Sequence, residues 1–260
     1  MSRKVREKLA HKEKTMERRD KMLEHDFSSD RATTEEVFDR ATLMVIYHFL
    51  NSGVLYEVHG VVNAGKESRV YWGKNKEGGD LAVKIYLTAS AEFRKGMLKY
   101  IEGDYRFKGV KRDTRSIIFT WAQKEFRNLE QASRASVRVP KPLAVKDNVL
   151  VMEFIGKKGV SAASLKERAP SDPGKVYSLL LTYLKRLYHK AELVHGDLSE
   201  YNIMMWKGKP VIFDVSQAVP PSHPMAEFFL RRDLANVNRF FSRLGVRVLS
   251  VDEAYQKVVG

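Results

Sequence analysis

Cysteine is absent from the 260 residues. This excludes a disulfide framework, thiolate zinc ligation and a cysteine nucleophile, and a reducing, cytoplasmic setting is expected. Long apolar runs are missing too. Runs such as 43–47 and 149–152 fall far short of the ~20 residues that cross a bilayer, so no membrane role is expected. Residues 1–10 are charged and lack an apolar signal core, so no secretion is expected. Acidic charge is scarce: 32 Asp and Glu stand against 46 Lys and Arg, a net +14. A field of that sign attracts polyanions such as nucleic acid or nucleotides and says nothing of fold. What is present, 43% apolar and 30% charged residues, is the balance of a soluble globular protein and excludes collagen, a coiled-coil rod and wholesale disorder. No internal repeat is visible.

Residues 1–32 carry both signs of charge and little apolar periodicity, and 1–24 alone hold nine basic and five acidic side chains. Such a segment reads as a basic arm that orders on a partner. Thr33-Thr34-Glu35-Glu36 has capping-box spacing. Val37, Ala41, Met44 and His48 share one face of the helix it would open, and Gly53 ends it, which makes 1–53 an arm plus a helix. Short strand-like runs follow at 54–62, 69–74 and 81–87, with a turn at Glu77-Gly78-Gly79-Asp80. Residues 88–119 hold three glycines and eight basic against four acidic residues, and are expected to be an irregular, mobile insertion. A helix is predicted over 121–133, with Ala122, Phe126 and Leu129 as its buried stripe. A hairpin over 143–145 and 149–154 turns at Asp147-Asn148, and 156–159 reads as a hinge. Residues 54–155 thus form a strand-rich lobe.

Residues 156–260 read as mostly helical. One amphipathic helix starts at Asp172-Pro173 and carries Val176, Leu180, Tyr183, Leu184 and Leu187. A hairpin spans 202–206 and 210–213, a helix spans 225–244, and Ser250-Val251-Asp252-Glu253 caps a last short helix. The expected class is α+β, bilobal, with its cleft near residue 156.

The sharpest string is His195-Gly196-Asp197-Leu198-Ser199-Glu200-Tyr201-Asn202, on a loop between helix and hairpin. A carboxylate and an amide five residues apart can share phosphoryl transfer: Asp197 orients and deprotonates an acceptor hydroxyl, and the Asn202 oxygen binds Mg²⁺. Asp214 ends the apolar run Val211-Ile212-Phe213, where a strand end would present its carboxylate to the same ion. One Asp, one Asn and nucleotide phosphates satisfy a cation that prefers hard oxygen ligands. Upstream, Leu81-Ala82-Val83-Lys84 places a lysine in an apolar strand. Either it snorkels from a sheet edge, or it holds phosphates and pairs with a helix glutamate, because an unpaired buried ammonium is costly. Glu125, beside the apolar stripe, suits that pairing better than Glu130. Residues 60–67 match the glycine-to-Gly-Lys spacing of a Walker A loop. Glu67, however, stands where a metal-binding Ser or Thr is needed, and a strand follows where a helix is required. A strand–loop–strand flap over phosphates fits better. Of a three-glycine kinase loop only Gly65 remains, with Asn63 and Ser68 at the outer glycine positions.

Together, Asn63-Ala64-Gly65-Lys66-Glu67-Ser68, Lys84, His195 to Asn202 and Ile212-Phe213-Asp214-Val215-Ser216-Gln217 resemble the RIO family of atypical serine protein kinases across residues 50–245. The Asp-Val-Ser-Gln ending and Val139-Pro140-Lys141-Pro142 favour its first, archaeal-type subfamily. The resemblance implies a bilobal protein-kinase-like fold with a β-rich N-lobe and a truncated helical C-lobe, preceded by N-terminal helices. It implies ATP with Mg²⁺, or Mn²⁺ in its place. Lys84 becomes the phosphate lysine, Asp197 the catalytic base, and Asn202 and Asp214 the metal ligands. The nucleotide-binding set is Asn63, Ala64, Gly65, Lys66, Glu67, Ser68, Val70, Ala82, Lys84 and Glu125, with Met152, Glu153 and Ile155 at the adenine hinge. Autophosphorylation on serine, with Ser90 and Ser116 as candidates, ATPase activity and maturation of the small ribosomal subunit, its rRNA and proteins, are further implications.

Departures from ordinary protein kinases are informative without that name. Gly196 stands where an arginine reads an activation-loop phosphate, no Phe-Gly follows Asp214, and no Ala-Pro-Glu occurs downstream. The expectation is an enzyme that does not grip extended peptides. Within 88–119, Lys95, Lys99, Arg106, Lys108, Lys111, Arg112 and Arg115 interleave with Phe93, Tyr100, Tyr105 and Phe107. Single-stranded RNA is contacted by such a mixture, through phosphate charge and base stacking, and a solvated loop is the plain alternative. Two other functions use similar residues: a small-molecule phosphotransferase of the aminoglycoside or choline kinase type, and a non-catalytic RNA-binding scaffold clamped by ATP.

Overall fold

A computed structural model describes residues 39–87, 91–107, 109, 111 and 113–260, with only the backbone given for 91–95. The expected basic arm, the Thr33 capping box and Ser90 lie outside the described residues. The chain divides into compact units 1–47 and 48–260. Helix α1, Arg40–Asn51, crosses that division. It buries Thr42, Val45, Ile46 and Phe49, while Ala41, Met44 and His48 are exposed. The face expected from the sequence was therefore wrong. Starting the period at Val37 selects Met44, whereas the aliphatic run Val45-Ile46 with Phe49 offers the greater apolar area.

The larger unit opens with a five-stranded sheet in the order β1-β2-β3-β5-β4. Its strands are β1 (Glu57–Ala64), β2 (Ser68–Lys74), β3 (Asp80–Tyr86), β4 (Pro142–Lys146) and β5 (Val149–Glu153). All pairings are antiparallel. The centre strand β3 is buried along almost its whole length, so it reads as an unbroken apolar run instead of an alternating one. Register places Val70 opposite Lys84, Lys84 opposite Leu150, and Ala82 opposite Met152. Side chains directly opposite share a face, as do residues two apart, so Val70, Ala82, Lys84 and Met152 line one side of the sheet.

The described residues of 88–119 are mostly helical, not an irregular loop. Helix α2 (Ala91–Ile101) and a 3₁₀ turn (Tyr105–Phe107) occupy them, and the next helix starts inside them. Met97, Tyr100, Ile101 and Phe107 are buried in the main core. Scattered charges masked this stripe, because Lys99 and Arg106 sit among the apolar positions. Tyr100 and Phe107 are thereby committed to the interior, and part-buried Arg106 is engaged by Asp104, Asn128 and Gln131, so the interleaved RNA surface expected here loses two aromatic members and has one cation already paired. Tyr105 remains exposed.

Helix α3 runs Thr114–Arg134, earlier than the sequence periodicity suggested, because Asp113 caps it by accepting from the Ser116 amide at 3.0 Å. Its buried face includes Ile117, Ile118, Trp121, Ala122 and Leu129, and also Lys124, Glu125 and Asn128. The three polar members are what blurred the apolar period.

Beyond the short β6–β7 ladder (Gly156–Lys157 with Val160–Ser161), the helical half contains α4 (Pro173–His189). Asp172 caps α4 by accepting from the Lys175 amide at 2.9 Å, and Pro173 occupies the first turn. A hairpin of β8 (Ile203–Trp206) and β9 (Lys209–Ile212) follows, then a 3₁₀ turn (Val215–Gln217), α5 (Ala226–Arg243) and α6 (Val251–Val259). The capping box of Ser250 and Glu253 opens α6. Sheet and helices share one core running from Ala82 to Val258, so the cleft between them is anchored on both sides.

Candidate active site

One face of the sheet, the flap between β1 and β2, α3 and the end of β9 enclose a cavity of about 350 Å³. Asn63, Gly65, Lys66, Glu67, Ser68, Val70, Lys84, Glu125, Met152, Phe213 and Asp214 line it. Ala64, Ala82, Glu153, Ile155, Asp197 and Asn202 are not in its wall. The flap is closed by a bond from the Gly65 amide to the Ser68 carbonyl at 2.9 Å. A Cβ on Gly65 would approach that carbonyl to 3.2 Å, so the tight crossing favours glycine.

Lys84 joins two elements. Its ammonium lies 2.8 Å from one Glu125 oxygen and 2.9 Å from the other, and 3.0 Å from Asp214 Oδ1. Burial alone would lower the Lys84 pKa, but the charges of Asp214 and Glu125 hold it above its ordinary value, and the ammonium stays charged. Burial pushes Glu125 up to about 7 against the pull of Lys84. Asp214 moves the other way: burial would raise it, but Lys84 dominates and holds it below the usual carboxylate range. Ser216 Oγ also donates to Asp214 Oδ1 at 3.0 Å. Asp214 adopts φ 55° and ψ 58°, a left-handed conformation that a non-glycine residue keeps only when its surroundings over-determine it.

The string 195–202 wraps beneath this point. His195 is buried and makes two bonds: Nδ1 accepts from the Asp197 amide at 3.3 Å, and Nε2 donates to the Phe213 carbonyl at 3.3 Å. Burial lowers its pKa to about 4, so it is a neutral brace. Asn202 Nδ2 donates to the Asp197 carbonyl at 2.8 Å, and the Asn202 carbonyl accepts from the Phe213 amide at 3.1 Å. Asn202 therefore sits beside the strand that delivers Asp214, with its amide nitrogen committed and its amide oxygen as the end suited to a metal. Gly196 has φ +79°, and a Cβ there would come within 3.1 Å of the Gln217 carbonyl. The arginine of ordinary kinases would be strained at this position. Half-buried Asp197 is held above the usual carboxylate range by burial, with Asp214 adding to it and Arg232 opposing. Gln217 Nε2 lies 3.3 Å from Asp197 Oδ2.

Among the described residues no group of three or more His, Cys, Asp or Glu has metal-site geometry. An oxygen pair completed by phosphates, as Asn202 and Asp214 would form with a nucleotide, needs no such group, and two hard oxygen donors fit Mg²⁺. At the expected hinge, Met152 lines the cavity. The Glu153 carboxylate is tied to Arg138 at 2.6 Å, its amide donates to the Lys141 carbonyl at 2.8 Å, and buried Ile155 accepts from the Ala162 amide at 2.9 Å.

A RIO domain family model matches residues 69–254. The chain belongs to the RIO family. Relatives include the RIO-type serine/threonine-protein kinase Rio1 of Haloferax volcanii, 44% identical over 87% of this chain and 77% of that protein. Serine/threonine-protein kinase rio1 of Schizosaccharomyces pombe is 40% identical over 88% of this chain. The chain spans 47% of that relative and 44% of its human counterpart, about half their length. In fold it is similar to the Rio2 kinase of Chaetomium thermophilum, solved as an ADP/Mg²⁺-phosphoaspartate complex. That match has TM-score 0.61 and 23% identity, and covers 82% of this chain and 65% of the other. The fold is therefore protein-kinase-like, α+β.

In this RIO chain several supporting residues were not found by sequence reasoning. Asp233 on α5 is fully buried and accepts from the Gly196 and Leu198 amides, both at 2.8 Å, which fixes the backbone around Asp197. Burial pushes its carboxyl up to about 7. Arg232 donates to the Gly196 carbonyl, and Asn236 to the Leu198 carbonyl at 3.1 Å. An Asp in the middle of an amphipathic helix gives no local signal. Only its position on the apolar face, between Leu230 and Leu234, could have marked it.

Proposed function

We propose that this chain is a Mg·ATP-dependent serine protein kinase that autophosphorylates, turns over ATP, and acts on precursors of the small ribosomal subunit. The observation that carries the reading is the bridge of Lys84 between Glu125 and Asp214. It gathers a fixed cation and a metal-type carboxylate on one wall of a cavity whose other wall is a backbone flap. Lys84 holds the phosphates of ATP, and its pairing with Glu125 fixes where the charge lies. Asn202 and Asp214 would hold Mg²⁺, which supplies neutralisation of phosphate charge when bound. Asp197 accepts the proton of the acceptor hydroxyl as its oxygen attacks the γ-phosphorus. The bond to the bridging oxygen breaks, and ADP leaves with the electron pair. Its raised pKa makes Asp197 a better proton acceptor than an exposed aspartate. With water as acceptor the same geometry gives ATP hydrolysis.

The phosphoaspartate of the Chaetomium relative favours one further route, in which an Asp197 oxygen itself takes the γ-phosphoryl group and water later releases phosphate, regenerating the carboxylate. Chemistry of the labelled product separates these routes. With γ-labelled ATP and Mg²⁺, acid-stable phosphoserine supports the kinase and free phosphate the ATPase. Label lost to hydroxylamine identifies an acyl phosphate. No label transfer and no hydrolysis, with or without ribosomal precursors, would exclude the proposal.

A further inference from the structure

Neighbouring residues of α3 face two different tasks. Glu125 reaches Lys84, while Lys124 and Asn128 turn toward the residues after Asp214. Lys124 is fully buried, donates to the Ala218 carbonyl, and lies 3.3 Å from the Ser216 carbonyl, with the buried Asp104 carboxylate 3.8 Å away. Asn128 Nδ2 donates to the Val215 carbonyl at 2.8 Å and to the Ala218 carbonyl at 3.2 Å. Arg106 closes the cluster on Asn128 Oδ1 at 2.9 Å, Gln131 Oε1 at 2.7 Å and Asp104 Oδ2 at 2.7 Å. Carbonyls of Val215, Ser216 and Ala218 thus end on one face of the helix that carries Glu125. Desolvating a buried ammonium is costly, so the cluster as a whole is a poor device for stability alone, although removing Lys124 by itself leaves the Asp104 carboxylate and the two carbonyls short of a partner.

We propose that Lys124, with Asn128, is a positioning residue for phosphoryl transfer: it clamps residues 215–218 to α3 and so fixes Asp214 against Glu125 and Lys84. Asp214 occupies a left-handed backbone conformation, which needs such external support. Its other side-chain partner, Ser216, lies inside the clamped segment. Ordinary kinases set the same helix and metal aspartate by a phosphorylated activation loop. Here Gly196 replaces the arginine that senses it, and the clamp is permanent. The inference rests on Lys84 and Asp214 having the roles proposed above.

Mg²⁺ dependence and hydrogen exchange test it in the full chain. Lys124→Met should raise the half-saturating Mg²⁺ for ATP turnover roughly tenfold. Binding of ATP in EDTA should stay within about twofold, and the amides of 215–218 should exchange faster. In an Asp214→Asn background the same substitution should add nothing to the Mg²⁺ requirement, because both act through one group. A lower melting temperature with wild-type Mg²⁺ dependence and unchanged exchange would overturn the clamp. Unaltered Mg²⁺ dependence in Asp214→Asn alone would overturn the site assignment and the clamp with it. If Lys124→Met does not fold, Arg106→Gln, at the rim of the cluster, carries the same two outcomes.

Discussion

His195 is the residue whose titration most exposes how the site is built. An imidazole free in the unfolded chain takes its proton near 6.5, whereas the buried one waits until about 4. Acid therefore favours the unfolded chain: the contribution is whole above pH 6.5 and is lost as pH falls toward 4. Across that window it amounts to on the order of 3 kcal/mol. His195→Gln, which can still donate to the Phe213 carbonyl, should flatten the fall in stability between pH 6.5 and 4, as read by denaturant unfolding at stepped pH. An acid limb as steep as in the unsubstituted chain would show that another group carries it. Asp197, Asn202 and Asp214 stand out in the sequence because the signal that singles them out is local, a loop string and a strand end. The brace provided by His195 is a matter of burial, which no spacing reveals.

At the scale of elements, α5 supports the loop that carries Asp197. Asp233 receives two backbone amides from that loop, and Asn236 adds a third contact. Asp233→Ala would leave the Gly196 and Leu198 amides buried without acceptors, at about 1–3 kcal/mol each. The expected outcome is a lowered melting temperature together with at least a tenfold fall in kcat, while KM for ATP moves little. An unchanged kcat would separate α5 from catalysis. Strands and amphipathic helices were legible where apolar spacing was clean, as in α4 and the hairpin before Asp214. They were obscured where polar groups point inward. On α3, Lys124, Glu125 and Asn128 interrupt the stripe, and in α2 a single charge, Lys99, stands between Met97 and the pair Tyr100 and Ile101. The pairing of Lys84 with Glu125 was nevertheless readable, because a lysine in an apolar strand demands a partner.

For the whole molecule the governing quantity is the net charge of +14. With Tyr100 and Phe107 internal, any RNA contact depends on charge more than on stacking. If about four phosphates are engaged, affinity for single-stranded RNA should fall roughly 50-fold between about 50 and 200 mM salt. A flat salt dependence in a filter-binding titration would remove RNA from the proposed partners and leave the phosphotransfer site intact. Among the described residues no helix is long and apolar enough to cross a membrane.

The central claim, that Asp197 serves the acceptor while Lys84, Asn202 and Asp214 serve the nucleotide, is tested most directly by single-turnover transfer from γ-labelled ATP at saturating Mg²⁺ in Asp197→Ala. The predicted result is ATP affinity within about threefold of the unsubstituted chain and a transfer rate reduced by roughly 10²-fold or more. Transfer at an undiminished rate, or loss of ATP binding in step with loss of transfer, would contradict it.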